Sequence, residues 1–209
     1  LAKIRIRREY EHVRFVYVPS TIGSGMATAK TGSFYLTETV TVPPGSGPGT
    51  RVQGTIDLGA YVSVAQGLAI AVESVDFIWQ LSSDFGQEVS GMVQSNGALS
   101  TQLTDLNPGT GFVRADNQSL VASGALNVDF VNNVGTHTAD LYPDNFGPAA
   151  LSEAFMVVND SMYLVAGVDA ATTAAAAELF LTARIRCRVV RLGTKDWMAI
   201  AIQSTASDN

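Results

Sequence analysis

The 209-residue sequence predicts an all-β protein: two antiparallel sheets packed as a sandwich, with a short C-terminal helix. Three observations lead there. Apolar and polar residues alternate with period two over most of the chain, the pattern of a strand with one buried face. The alternating runs are separated by short turn-forming stretches, and 19 glycines are available to make them. A parallel sheet would need crossover helices, and the sequence offers no segments for them.

The elements follow in order. Residues 2–18, "AKIRIRREYEHVRFVYV", alternate apolar and charged residues and then become more apolar. Residues 32–42, "GSFYLTETVTV", are rich in β-branched and aromatic residues, and "PPGSGPG" (43–49) is a turn. Two further strands fall in 50–64 and 67–82. Asn96-Gly97, between "SGMVQS" and "ALSTQLT", reads as a two-residue hairpin. "LNPGTG" (106–111) is a loop, and 119–133 is a strand with a bulge near Gly124. The segments 154–160 and 161–170 bracket a turn at Asn159-Asp160, and 177–192 is the last long strand. "TTAAAAE" (172–178) suits a loop with one helical turn. In 194–203, "TKDWMAIAIQ", Thr194 is a candidate N-cap ahead of an apolar stripe. No repeat or linker divides the chain, so residues 1–209 read as one domain.

Composition narrows the function. With 46% apolar and 15% charged residues the chain can bury a large core, and its sparse charge suits a surface covered by other subunits. Cys187 is the only cysteine, so no internal disulfide forms, and on a strand it reads as a small buried hydrophobe. No uncharged apolar run reaches the roughly 20 residues of a membrane-spanning helix. A removed leader and a late start are both compatible with an opening at Leu1.

Charge is segregated along the chain. The formal net charge is −6, yet Lys3, Arg5, Arg7, Arg8 and Arg14 lie at one end and Arg184, Arg186, Arg188, Arg191 and Lys195 at the other. Between residues 15 and 183 the only basic residues are Lys30, Arg51 and Arg114. On a strand, Arg184, Arg186 and Arg188 share one face and Ile185, Cys187 and Val189 the other. If the first and last strands lay side by side, their basic faces would merge into a stripe suited to nucleic-acid phosphate. The alternative is a set of ordinary solvent-facing arginines paired with Glu9, Glu11, Glu178 and Asp196.

Residues 8–37, "REYEHVRFVYVPSTIGSGMATAKTGSFYLT", resemble the jelly-roll capsid (coat) proteins of small icosahedral viruses. In that family a "Y..VRF..YVPS" strand leads through a small-residue loop to "GSFYL". The strand-then-helix ending "RIRCRVVRLGTKDWMAIAIQ" is similar to a last shell strand followed by a docked tail. The resemblance implies a single jelly roll, eight strands in two Greek keys, with the first and last strands paired in one sheet. It implies a non-enzymatic virion protein that self-assembles into a symmetric shell, alone or with other capsid proteins, around viral nucleic acid. Arg5, Arg7, Arg8, Arg184, Arg186 and Arg188 are then expected to face the interior.

Catalytic signatures are not evident. His12 and His137 lack partners for a zinc site, and there is no G-x-S-x-G elbow. "GSGPGT" lacks the Lys-Ser/Thr of a phosphate-binding loop, and the "DFG" at 84–86 has no companion motif. Asp140, Asp144 and Asn145 in "DLYPDN" are oxygen ligands that calcium accepts, with Asp129 or Asp160 as further candidates, but their spacing is not that of the twelve-residue calcium loop and an ordinary Asx turn after a strand is the simpler reading. Some plant-virus shells bridge subunits with calcium through such loops, as the resemblance allows. Trp79 and Phe77 share a strand face and, with Trp197, read as core or interface anchors. Two other functions stand beside it: a secreted adhesin or pilin-like filament subunit, which the Thr-, Gly-, Asn- and Ala-rich composition fits about as well, and a carbohydrate-active β-sandwich enzyme, to which 8% aromatic residues lend little support.

Overall fold

The computed structural model describes residues 27–141 and 155–206. The strands are β1 Thr28–Ala29, β2 Phe34–Val42, β3 Arg51–Asp57, β4 Leu68–Leu81, β5 Gly97–Thr104, β6 Leu120–Asp129, β7 Val134–Leu141, β8 Phe155–Val157, β9 Ser161–Asp169 and β10 Leu179–Arg191. Helices α1 Val89–Met92 and α2 Thr194–Ala206 complete the described elements. All pairings are antiparallel. One sheet runs β2–β10–β4–β8, and β1 continues the β2 edge of β10. The other runs β3–β9–β5–β6–β7.

Setting aside β1 and the added edge strand β7, the strand orders are those of a jelly roll. The chain crosses between sheets at β2–β3, β3–β4, β4–β5, β6–β8, β8–β9 and β9–β10, and the first long strand pairs with the last. The core is the sum of the two inward faces. Strand β10 shows how: Leu179, Leu181, Ala183, Ile185, Cys187 and Val189 are buried on one side. They meet Met162, Leu164, Ala166 and Val168 of β9 and Leu99 and Leu103 of β5 within one cluster. Each such Leu or Ile contributes roughly 1.5–3 kcal/mol on burial. Phe77 and Trp79 lie in the same core, as their shared strand face requires.

The loops 43–50, 82–96, 130–133 and 170–178 gather at one end of the sandwich. Buried Thr173 ties three of them together. Its hydroxyl accepts from Ser46 N at 2.8 Å and donates to the Pro43 carbonyl at 3.2 Å, while the Gln94 amide Nε2 donates to its backbone carbonyl. Among the described residues, the non-glycine residues with positive φ are Phe85, Asn133 and Ala170, all in loops at this end. Phe85, Phe130, Val131 and Val134 are exposed there.

Several sequence expectations are corrected. Asn96-Gly97 is not a hairpin turn. Residues 89–92 form α1, and the Asn96 carboxamide oxygen accepts the Phe130 and Val131 amides. Gly97 is required by close approach, because a Cβ there would lie 2.4 Å from Ala171 N and 2.5 Å from the Asp169 carbonyl oxygen. The irregularity in β6 sits opposite Leu103–Thr104, around Val121, and Gly124 pairs regularly with Thr101. Residues 134–141, for which the pattern offered no strand, form β7 in register with Ala122–Asp129. Residues 172–178 contain no helical turn; Thr173 instead bridges to Val93. Helix α2 begins at Thr194, which places Gly193 rather than Thr194 at the cap position. The Asn117 carboxamide oxygen accepts the Ser119 amide and hydroxyl, and the Asn159 amide donates to Asp105, so both asparagines are engaged within the fold.

Strand β10 also decides the expected pairing of chain ends. β4 lies along one edge from Leu179 to Arg191, and β2 and β1 occupy the other. The strand paired with the last is therefore Phe34–Val42, and a stripe made by Lys3, Arg5 and Arg7 pairing alongside Arg184–Arg188 has no open edge to form on. The segment 2–18 itself lies outside the described residues.

Asp105 is the buried carboxyl of the fold. It opens the β5–β6 loop and is 1% exposed. The Asn159 amide donates to its backbone carbonyl at 2.9 Å and approaches Oδ2 at 3.3 Å, while Oδ1 is buried without a donor. Burial pushes the carboxyl up to about 7, and its hydrogen bonds offset only part of that. The folded state thus holds this proton more tightly than the unfolded chain. Its contribution to stability is complete below the ordinary carboxyl value and is lost as pH rises through about 7.

Two predictions follow from this packing. Asp105 lowers the unfolding free energy by up to about 4 kcal/mol between acidic pH and pH above 7. Asp105→Asn removes that slope, which urea titrations near pH 5 and pH 8 measure; parallel wild-type and variant curves would show a carboxylate charged in the fold. Gly97→Ala costs about 1–3 kcal/mol through overpacking against Asp169 and Ala171. An unchanged guanidinium midpoint would contradict the close-approach account.

Candidate nucleic-acid interface

The outward face of the β2–β10–β4–β8 sheet has two halves. Toward the C-terminal end of β10, Ala69, Ala71, Val190 and Leu192 lie beneath α2, which packs Trp197, Ile200 and Ala201 on them. The small alanines let the helix approach the sheet closely. Toward the other end the face is open, and there the alternation of β10 delivers Arg184 and Arg186 to solvent and Arg188 to a half-buried position. The expected sharing of one face by Arg184, Arg186 and Arg188 is therefore observed, with Ile185, Cys187 and Val189 on the other.

A β-bulge sets the electrostatics of this face. The β4–β10 register shifts between Arg186, opposite Ser74, and Cys187, opposite Val72, so Glu73 is the extra residue. The bulge reverses the burial phase of β4: Phe77, Trp79 and Leu81 point inward on one side of it, Ile70 and Val72 on the other. Glu73 is thereby turned among the arginines. Its Oε2 lies 3.0 Å from Arg186 Nε, and its Oε1 lies 3.5 Å from Arg188 Nε. The second contact has ion-pair distance without hydrogen-bond alignment, since Arg188 Nε makes no hydrogen bond. The Ser33 hydroxyl reaches both carboxylate oxygens, at 3.0 and 2.9 Å, and fixes the carboxylate from the β2 side.

Arg184 is held differently. Its guanidinium carbon lies 5.1 Å from the ring centroid of Tyr35, within cation–π range. Asp76 is its register partner on β4, but no carboxylate among the described residues comes within ion-pair distance of Arg184. Tyr35 is 53% exposed. Farther along, Thr39 and Thr182 hydroxyls hydrogen-bond across the strands at 2.9 Å, and Thr37 and Thr41 continue an uncharged polar surface. Beneath the arginines, burial and then the Glu73 charge push the Cys187 thiol up to about 12, which keeps it protonated and unreactive.

The other candidate residues are not brought to this face. Arg5, Arg7 and Arg8 lie outside the described residues, as do Asp144 and Asn145. Asp140 is on β7 in register with Ser123, and its side chain is not among those described. Asp129 and Asp160 sit at opposite ends of the sandwich and cannot share an ion. Asp129 closes the β6–β7 turn by accepting from Asn132, which holds its carboxyl below the usual carboxylate range, and Asp160 accepts from Ser161. No three His, Cys, Asp or Glu side chains converge among the described residues. Nor is any helix there long and apolar enough to cross a membrane.

Sequence reasoning assigned the counter-ions to Glu9, Glu11, Glu178 and Asp196 and missed Glu73. The signal was present: the apolar positions step by two through Ile70 and Val72, then by three to Val75 across Glu73-Ser74. Tyr35 was legible only as a strand residue, because its contact with Arg184 depends on the β2–β10 register.

Glu73→Gln is predicted to change stability by less than about 1 kcal/mol, as for an accessible ion pair. It also raises retention on a polyanion column, because two arginines lose their counter-charge. Thermal melts and heparin elution measure the two effects, and unchanged elution would show that Glu73 does not control the charge of this face. No protein-family model and no curated protein matches the chain.

Proposed function

We propose that this chain is a structural virion protein, a self-assembling capsid subunit whose arginine-bearing sheet face turns toward the packaged genome. The observation that carries the reading is that face. An acidic chain holds Arg184, Arg186 and Arg188 on one rigid surface, on the strand that closes the jelly roll. The strand order and the resemblance of residues 8–37 to capsid proteins support it further.

Charge and apolar exposure are separated in a manner suited to a shell. The loops gathered at one end carry Asp84, Glu88 and Glu178 and no Lys or Arg within 43–50, 82–96, 130–133 and 170–178. They expose Phe85, Phe130 and Val131, apolar contacts available for lateral association. The cationic face lies on the broad side of the sheet, so subunits associating through loop ends leave it free for phosphate.

The test is Arg184→Gln/Arg186→Gln/Arg188→Gln in purified protein. Negative-stain microscopy is expected to show closed particles of uniform diameter for both proteins, and the ultraviolet absorbance ratio reduced nucleic-acid content for the variant. The log–log salt slope of nucleic-acid binding becomes shallower by about two to three, roughly 0.7–0.9 per phosphate contact. Unchanged content and slope would refute the inward arginine face. Open-ended filaments would favour the adhesin or pilin-like reading instead.

A further inference from the structure

We propose that the open half of this sheet face binds single-stranded rather than duplex nucleic acid, with Tyr35 as a base-stacking platform. The inference rests on the genome-facing reading above and specifies which form of nucleic acid that surface accepts.

The first argument is the pairing of an exposed aromatic ring with a guanidinium. Tyr35 projects from β2, 53% exposed, with Arg184 over its ring at 5.1 Å. An exposed ring on a flat sheet offers a stacking surface to an unpaired base, and a neighbouring arginine supplies cation–π and phosphate contacts. A regular duplex keeps its bases stacked on one another and presents phosphates and groove edges to such a face.

The second argument is spacing. Arg184, Arg186 and Arg188 recur at every second strand residue, about 6.7 Å apart. That interval is comparable with the separation of successive phosphates along an extended single strand. A single strand laid along this row meets about one guanidinium per nucleotide.

The third argument is the manner in which Glu73 holds two of the three arginines. Its oxygens approach the Nε atoms of Arg186 and Arg188. The terminal amino groups of a guanidinium form the fork that engages phosphate. Glu73, fixed by Ser33, therefore orients the arginines through their Nε side while both side chains keep exposed surface toward solvent.

The experiment uses the full chain and fluorescence anisotropy with three labelled probes of equal length: oligo-dT, oligo-U and a mixed-sequence DNA duplex. The proteins are wild type, Tyr35→Ala, Tyr35→Phe and the triple arginine-to-glutamine variant. Single strands are expected to bind more tightly than duplex. Tyr35→Ala should weaken them about tenfold, within the range for loss of one base stack, and leave duplex binding unchanged. Tyr35→Phe retains the ring and is expected to match wild type, which excludes a role for the hydroxyl and guards against a folding defect in the alanine variant. A stronger Tyr35 effect on oligo-U than on oligo-dT identifies RNA as the favoured strand, and the reverse identifies DNA. Equal loss on all three probes, or no loss on any, overturns the single-strand proposal. If the triple variant still loses binding in that case, the genome-facing reading survives alone; if it binds as wild type does, both fall.

Discussion

Strand β10 is hydrogen-bonded along both edges, and this constraint organises the rest of the molecule. A strand fixed on both sides cannot slip by one residue without reversing every side chain between core and solvent. Its inward set, from Leu179 to Val189, is wholly apolar, so such a slip would bury arginines and expose the core. The register of β10 consequently determines where β2 and β4 lie, which residues α2 covers, and where the arginines emerge. The bulge at Glu73 is compatible with this only because β4 absorbs the extra residue and β10 remains regular.

The cationic surface is thus a consequence of core packing together with one local irregularity. Alternation in β10 places the arginines, and the irregularity in β4 adds a carboxylate among them. Like charges at successive outward positions repel, and Glu73 offsets part of that repulsion without removing the excess of positive charge. Arg184 has the Tyr35 ring beside it instead of a carboxylate. The same economy is absent at Asp105, where burial without a cation leaves a carboxyl that favours its neutral form.

Much of the fold was legible because period-two alternation is a strong signal where one strand face is buried. β2, β3, β4, β9 and β10 were all found in this way, and the face shared by Arg184, Arg186 and Arg188 followed from β10 alone. The misses have local causes. Asn96-Gly97 carries the composition of a hairpin, but Asn96 caps a distant loop and Gly97 admits a neighbouring backbone, both tertiary effects. β7 was missed because Gly135, Thr136 and Thr138 lack an apolar period; its edge position asks for none. The alanines at 174–177 suit a helix, yet the loop is tied to β2–β3 and β4–β5 by Thr173. Which loops and strands meet in space, and hence that Tyr35 stands beside Arg184, depends on register across some 140 residues of chain, beyond what local pattern conveys.

That separation has a kinetic meaning. Thr39 and Thr182, joined across β2 and β10, are 143 residues apart, and β10, which joins β2 to β4, comes last in chain order among the described strands. Until it emerges from the ribosome, β2 and β4 have no common partner and the sheet cannot close. Closure of so long a loop is entropically costly and makes folding slow. The arginine face is therefore assembled only when β10 joins β2 and β4, and a nascent chain that stops short of β10 cannot display it.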